Sequence, residues 1–370
     1  MKELQSILKV HSTLPASENA VLATVVDVRG SSYRLPGARM LIDESGRSVG
    51  TISGGCLEAD VLERAKKVLA SNVPTVITYD TTQNEDSVFG LGMGCRGVVR
   101  ILLEAANGNR SFDFWRECFE HRTRGAIATL ISKGEDFPLP LGARVFMRSE
   151  ENFETTFDRL DFQTGDFLQT VLTDMFAALA KNRSGAKIYE SEKGKIEFFI
   201  ETVNPPVTLL LFGAGYDALP VADFAKNLGW RVCVIDHRAA WANAERLEGV
   251  DEIIVLRVED LDANLFADEN SVGVIMTHNY ERDREILRRL LDSSVKYIGA
   301  LGPKKRTERM LAEIGEKFCD KHLAKLYAPV GLDIGADTPE EIAIAIVAEI
   351  QGVLASRQGG FLRERSGGIH

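Results

Sequence analysis

A chain of 370 residues is long for one hydrophobic core and points to two domains. The formal net charge of −10 argues against nucleic acid or an anionic membrane as the main partner, and no apolar run approaches the ~20 residues that cross a bilayer. Five cysteines without framework spacing suit reduced thiols in a cytoplasmic protein, and Met1-Lys2-Glu3-Leu4-Gln5 carries no signal-peptide core.

In chain order, Leu4–Leu14 reads as a helix, and Ala20–Val26 as a strand. A turn at Arg29–Tyr33 follows, then a second strand, Met40–Asp43, closed by a hairpin turn at Glu44–Gly46. Gly54-Gly55-Cys56 precedes a helix from Leu57 to about Ala70. Val76–Tyr79 and Val98–Glu104 are strands on either side of a glycine-rich loop, residues 81–97, that contains Cys95.

The pattern then repeats. Val21–Val26 matches Ala126–Ile131, and Gly37-Ala38-Arg39 matches Gly142-Ala143-Arg144, both at an offset of 105 residues. A helix follows each copy (Phe167–Lys181 in the second), and a strand ending in glutamate closes each (Ile196–Glu201 in the second). Residues 1–204 are therefore expected to be a mixed α+β domain of two related halves, 1–105 and 106–204, unless strand-rich segments match by chance. The same strand order in both halves is the requirement. Only the first half carries the cysteine motifs.

Asn204-Pro205-Pro206 marks an extended domain boundary. Beyond it, Val207–Phe212 is a strand, Gly213-Ala214-Gly215-Tyr216-Asp217-Ala218 a glycine turn, Leu219–Leu228 a helix, and Arg231–Asp236 a second strand. Gly213 and Asp236 lie 23 residues apart, the arrangement of a dinucleotide fold: glycines for the turn and the close approach of a pyrophosphate, a helix N-terminus for its charge, and an acid for ribose. Asp236 favours an NAD-like over an NADP-like ligand, an inference that Arg238 softens. A Rossmann fold that keeps these glycines for the turn alone is the alternative. Strands at Glu252–Leu256, Ser271–Met276 and Val295–Ala300 and a helix capped by Asn279 extend an α/β domain over 205–358. Thr338 and Pro339 open the last helix, and 359–370 reads as a mobile tail.

Chemistry concentrates in a few places. Cys56 at a helix start is expected to have a depressed pKa and to act as a nucleophile, soft metal ligand or sulfur carrier, and Arg96 pushes Cys95 the same way. Either could equally be a small residue in a tight loop. No spacing suggests a structural zinc site. His278, just after a strand, lies at the carboxyl edge where open α/β sheets bind ligands, as do Gly299 and Gly302 one strand later. Asp333, Glu340 and Glu341 are acidic residues on the same side, with helix capping a sufficient explanation for the glutamates.

Gly54-Gly55-Cys56-Leu57-Glu58, Phe212–Gly215, Val234–Arg238, Thr277-His278, Tyr297–Gly302 and Pro329–Ile342 resemble the XdhC/CoxI family, accessory proteins of xanthine dehydrogenase and related molybdenum hydroxylases. The resemblance covers nearly the whole chain. It implies an N-terminal XdhC/CoxI-type domain followed by a C-terminal Rossmann-like parallel-sheet domain. It also implies binding of molybdenum cofactor (molybdopterin or its dinucleotide form), support of its sulfuration, and delivery to the apo-hydroxylase. The implied partners are that enzyme, a cysteine desulfurase and a second copy of this chain, as a homodimer or other homo-oligomer. The implied cofactor residues are Gly54, Gly55, Cys56, Gly213, Gly215, Tyr216, Asp236, Arg238, His278, Gly299 and Gly302, with Cys56 or Cys95 near molybdenum. The sequence departs from the family at Tyr216, where histidine is usual, and at Cys95-Arg96-Gly97, where Cys-Gly-Gly is usual.

Three functions compete: a cofactor chaperone without turnover, an NAD-dependent oxidoreductase with His278 as its proton donor, and a redox or sulfur-transfer module working through Cys56 and Cys95. In the first, the Gly213–Gly215 turn and the Cys56 pocket are expected to face one another across a crevice.

Overall fold

A computed structural model describes residues 2–15, 17–82, 97–149, 151–157, 165–191, 194–261, 268–315 and 318–366. The expected loop cysteine Cys95 and its neighbour Arg96 lie outside the described residues. The chain divides between Pro205 and Pro206 into two units.

The first unit begins with helix α1 (Lys2–Thr13) and contains two antiparallel sheets. One is built from β1 (Ala20–Gly30), β2 (Arg39–Asp43), β3 (Ser48–Gly50), β4 (Thr75–Asp80) and β5 (Gly97–Ala105), with helix α2 (Glu58–Ser71) between β3 and β4. After α3 (Ser111–Glu120), the other is built from β6 (Gly125–Ser132), β7 (Arg144–Met147), β8 (Phe153–Thr155), β9 (Gly185–Ser191) and β10 (Gly194–Val203), with α4 (Gly165–Lys181) between β8 and β9. The strand orders are β3-β2-β1-β5-β4 and β8-β7-β6-β10-β9, the same arrangement twice.

Period-two alternation explains why apolar runs such as Ala20–Val26 form these strands. Val21, Ala23 and Val25 pack under α2 with Val61, Ala65 and Val68. Leu22 and Val26 point the other way, to a core shared with Ile127, Ile131 and Phe199 of the second sheet. Ala126, Ala128 and Leu130 repeat the outward set beneath α4. Both faces of each central strand are therefore apolar, as the sequence reads. Helix α3 is an addition to the sequence expectation; Phe112, Trp115 and Cys118 at helical spacing fill the shared core.

Two buried ion pairs cross between the sheets. Arg39 on β2 pairs with Glu201 on β10, and Arg144 on β7 pairs with Glu104 on β5. Each arginine also donates from Nη1 to the carbonyl of the glycine two residues before it, Gly37 and Gly142, at 2.7 Å. The repeated Gly-Ala-Arg triplet is thus a repeated brace. Arg39 also stacks on Trp115, 4.4 Å from the ring centroid.

The second unit holds β11 (Thr208–Phe212), α5 (Ala218–Asn227), β12 (Arg231–Asp236), β13 (Glu252–Val255), β14 (Ser271–Ile275), α6 (Tyr280–Leu291), β15 (Tyr297–Ala300), α7 (Lys304–Ile314), α8 (Asp320–Leu323), β16 (Leu326–Tyr327) and α9 (Pro339–Leu354). Its six strands are all parallel, in the order β13-β12-β11-β14-β15-β16. Helices α5 and α9 cover one face, α6 and α7 the other. This is the Rossmann arrangement, and the direction of winding reverses between β11 and β14, where such sheets form a crevice. The caps are those expected: the Asn279 side chain accepts from the backbone N–H of Arg282, and Thr338 with Glu341 forms a capping box. In the tail, Leu362–Glu364 makes one 3-10 turn.

Removing one partner of a buried ion pair leaves a charge stranded, at a cost of about 3–5 kcal/mol. Arg39→Ala is expected to lose that much in urea unfolding. Arg39→Met combined with Glu201→Leu is expected to lose much less, because nothing charged is left behind; equal losses in the two proteins would show that the pairing does not matter.

Candidate functional site

The Rossmann turn is shaped by backbone crowding. Gly213 ends β11 at φ +117°, and a Cβ there would stand 2.4 Å from the carbonyl oxygen of Met276, so only glycine fits. Its N–H donates to the Ile235 carbonyl at 2.9 Å. The next N–H, of Ala214, donates to Asp236 Oδ2 at 2.9 Å. Among the described residues, the three that follow (Gly215, Tyr216 and Asp217) donate their backbone N–H groups to no protein acceptor. A row of unspent donors just ahead of α5 is an anion-binding geometry.

The Asp236 carboxylate is engaged within the protein. The sequence assigns its oxygens to ribose hydroxyls, but its side chain is only 2% exposed and already satisfied. Oδ1 accepts from Arg238 N and Nε, both at 2.9 Å, and Oδ2 accepts from Arg238 Nη2 at 2.6 Å as well as from Ala214. His237 Nδ1 lies 3.0 Å from Oδ1. Burial by itself pushes this carboxyl up, yet the bonds from the Arg238 side chain and backbone and from Ala214 reverse that and hold it at about 2. Asp236 is a clasp on the turn, and a ribose would have to displace Arg238 to reach it.

His278 stands in front of the turn. It is exposed and held at φ +57°, an uncommon conformation for a side-chain-bearing residue. Its Nε2 lies 2.7 Å from Asp217 Oδ2. Beside them, exposed Tyr216 packs edge-on against Trp241 with ring centroids 5.4 Å apart, and the Arg246 guanidinium lies over both rings. A narrow pocket at the ends of β11, β12 and β14 is lined by Phe212, Asp236, His237, Leu256, Thr277 and Arg282.

Gly299 lies within β15 and Gly302 just after it. A Cβ on Gly299 would stand 2.5 Å from Val330 Cγ2, so this glycine serves packing. Gly302 turns the chain into α7, where Arg306 Nη2 reaches buried Asp283 at 2.7 Å. Thr277 Oγ1 donates to the other oxygen of Asp283. Asp283 therefore ties the loop after β14 to the start of α7. Asp333 is exposed, and Glu341 is taken by the cap of α9.

In the first unit, Gly54, Gly55 and Cys56 form a loop wrapped around Ser53. Gly55 has φ +107°. The Ser53 hydroxyl accepts from the N–H groups of Gly55 and Leu57, both at 3.1 Å, and donates to Glu58. The half-buried Cys56 thiol lies 3.6 Å from the same hydroxyl. Burial raises the Glu58 carboxyl, but bonds from Ser53 and the backbone outweigh this and hold it low. The backbone N–H groups of Ser53, Gly55 and Leu57 ahead of α2 are thus taken by the Ser53 hydroxyl and the Glu58 carboxylate. Among the described residues no group of three His, Cys, Asp or Glu side chains could hold a metal ion, and no helix is long and apolar enough to cross a membrane.

The structure gathers Gly213, Gly215, Tyr216, Asp236, Arg238 and His278 at one sheet edge, and Gly54, Gly55 and Cys56 in one loop of the other unit. Sequence reasoning missed Asp217, Trp241, Arg246 and Ser53. Asp217 had a legible signal, a carboxylate inside a phosphate-type turn; the others had none.

The family model described as the XdhC Rossmann domain matches residues 209–350, and that of the XdhC and CoxI family matches residues 14–80. A probable xanthine dehydrogenase subunit of Bacillus subtilis (strain 168) is 32% identical over 339 residues, covering 91% of this chain and 94% of the relative. The molybdenum cofactor insertion chaperone PaoD of Escherichia coli (strain K12) is 22% identical over 344 residues, 92% of this chain and 85% of the relative. The crystal structure of a xanthine dehydrogenase from Bacillus halodurans matches with a TM-score of 0.77 at 30% identity, covering 98% of each chain.

Because the folded Asp236 carboxyl lies near 2, below the ~3.9 of an unfolded chain, its stabilisation is complete above about pH 4 and fades as pH falls toward 2. Asp236→Asn is expected to be less stable than the wild type by on the order of 2 kcal/mol at pH 7, with the gap narrowing below pH 4. A gap that is constant from pH 7 to 3 contradicts the clasp.

Proposed function

The chain belongs to the XdhC and CoxI family, and from that membership we propose that it serves molybdenum cofactor maturation: it binds the cofactor, supports its sulfuration, and delivers it to an apo-xanthine dehydrogenase or related molybdenum hydroxylase. The three unspent N–H donors of Gly215, Tyr216 and Asp217 carry the binding step. Molybdopterin ends in a phosphate and its dinucleotide forms contain a diphosphate, so the donor set fits the group. The Asp217 carboxylate at the end of this donor row is engaged by His278, whose Nε2 lies 2.7 Å from Oδ2. Gly213 holds the turn open, and Arg238 keeps Asp236 folded behind it.

When bound, the cofactor supplies the molybdenum–sulfur centre on which the target enzyme's chemistry depends. Cys56, a half-buried thiol in a glycine loop, is the soft donor proposed for the sulfuration role, with Cys95 as its companion. A cysteine desulfurase is the proposed sulfur source, and the acting form is proposed to be a homo-oligomer. A chaperone of this kind binds and releases without turnover.

An NAD-dependent oxidoreductase is the second reading, favoured by the strained His278 paired with Asp217. The closed state of Asp236 supports the chaperone over it, because the residue that would hold an NAD ribose is spent on Arg238.

Co-expression with molybdenum cofactor biosynthesis, followed by assay of copurified molybdenum and pterin, tests the proposal. Stoichiometric pterin without NAD(H) turnover is the expected result; turnover of NAD(H) with no retained pterin favours the enzyme. Cys56→Ala is expected to lower cofactor retention or activation of the target hydroxylase, and unchanged retention and activation would remove Cys56 from the site.

A further inference from the structure

Beside the phosphate turn lies a feature that the fold does not need. Tyr216 is 72% exposed, the residue directly after the second glycine of the turn. Its ring meets Trp241 edge-on, and Arg246 Cζ lies 4.9 Å from the Tyr216 centroid and 4.3 Å from that of Trp241. Arg238 Cζ lies over Trp241 at 4.8 Å. Two guanidinium groups and two aromatic rings thus cluster within one loop's reach of the free donors at Gly215–Asp217.

The charges in the cluster are unequal. Arg238 is neutralised by Asp236. Arg246 pairs with no carboxylate among the described residues, and its Nη2, a buried atom, has no hydrogen-bond partner there. A buried donor without an acceptor costs stability, and a cation held only by ring faces has charge to spend on a ligand. An exposed tyrosine ring beside such a cation is the combination that stacks planar heterocycles in nucleotide sites, where each base is held by its π-face.

We propose that Tyr216, Trp241 and Arg246 form a platform for a planar heterocycle that carries a phosphate ester. The phosphate sits on the N–H groups of Gly215–Asp217, the heterocycle stacks on Tyr216, and Arg246 supplies charge between them. The pterin of the molybdenum cofactor and the base of its dinucleotide forms share this chemistry. This proposal rests on the reading that the turn holds a phosphate-bearing cofactor, and names the part of the site that selects the ring attached to the phosphate.

The tryptophans provide a readout. Trp115 is 2% and Trp230 4% exposed, while Trp241 is partly exposed in the platform, so quenching on ligand addition reports on Trp241. The full chain is titrated with inorganic phosphate, with neopterin monophosphate, and with CMP, GMP and AMP, followed by fluorescence and calorimetry. At least one heterocyclic phosphate is expected to bind at least about tenfold tighter than inorganic phosphate, ~1.4 kcal/mol, with quenching. Which one binds tightest, the pterin or a nucleotide, identifies the source of the ring. Tyr216→Leu and Arg246→Met are expected to erase the advantage of the heterocyclic phosphate over inorganic phosphate; Tyr216→Phe keeps the ring and is expected to keep the advantage. Heterocyclic phosphates that bind no tighter than inorganic phosphate, or an advantage that survives both substitutions, overturn the platform. Copurified molybdenum and pterin on the wild-type chain judge the function separately: retention without a platform effect overturns only the platform, whereas absence of retention overturns the cofactor reading itself.

Discussion

One buried carboxylate organises the ligand edge of the Rossmann unit. Asp236 ends β12 and receives four hydrogen bonds, three from Arg238 and one from Ala214. The Ala214 bond fixes the glycine turn to the neighbouring strand, and the Arg238 bonds fix the loop that carries Trp241 and Arg246. Desolvating a carboxylate this thoroughly is unfavourable unless its oxygens are satisfied, and here they are. Turn and platform therefore share one anchor, and the three N–H groups beyond it have no acceptor among the described residues.

The first unit is governed by a different constraint, the pairing of two similar sheets. Arg39 with Glu201 and Arg144 with Glu104 each join one sheet to the other. Each arginine comes from the Gly-Ala-Arg triplet that the sequence repeats, and the strand orders repeat with it. A central strand that is apolar on both faces needs a cover on both sides; α2 or α4 supplies one and the opposite sheet the other. The Ser53–Glu58 knot shapes the Cys56 loop of the first half, where the sequence places the Gly-Gly-Cys motif.

Much of this was legible in the residues. The Rossmann unit announced itself through apolar strands of the right length, a glycine turn, and caps at Asn279 and Thr338, because each is a local signal with a local cause. The repeat was visible as a fixed offset. What escaped were decisions made by tertiary contact. Asp236 reads as a ribose ligand until Arg238 is seen folded onto it. Arg246 is an ordinary loop arginine in one dimension and, in three, a cation on two rings with no carboxylate partner among the described residues. The crowding of Val330 against Gly299 is likewise visible only in the folded chain. Helix α3 was missed because Phe112, Phe114 and Trp115 crowd a short segment whose apolar face is defined only by the two sheets it meets.

The account depends on the amides of Gly215, Tyr216 and Asp217 being the cofactor's phosphate donors. Hydrogen exchange of the chain before and after anaerobic addition of isolated molybdenum cofactor measures this directly. These three amides have no protein acceptor among the described residues and are expected to exchange quickly alone and to become protected when the cofactor binds. Binding that leaves all three as fast as before, with protection arising elsewhere, would contradict the account.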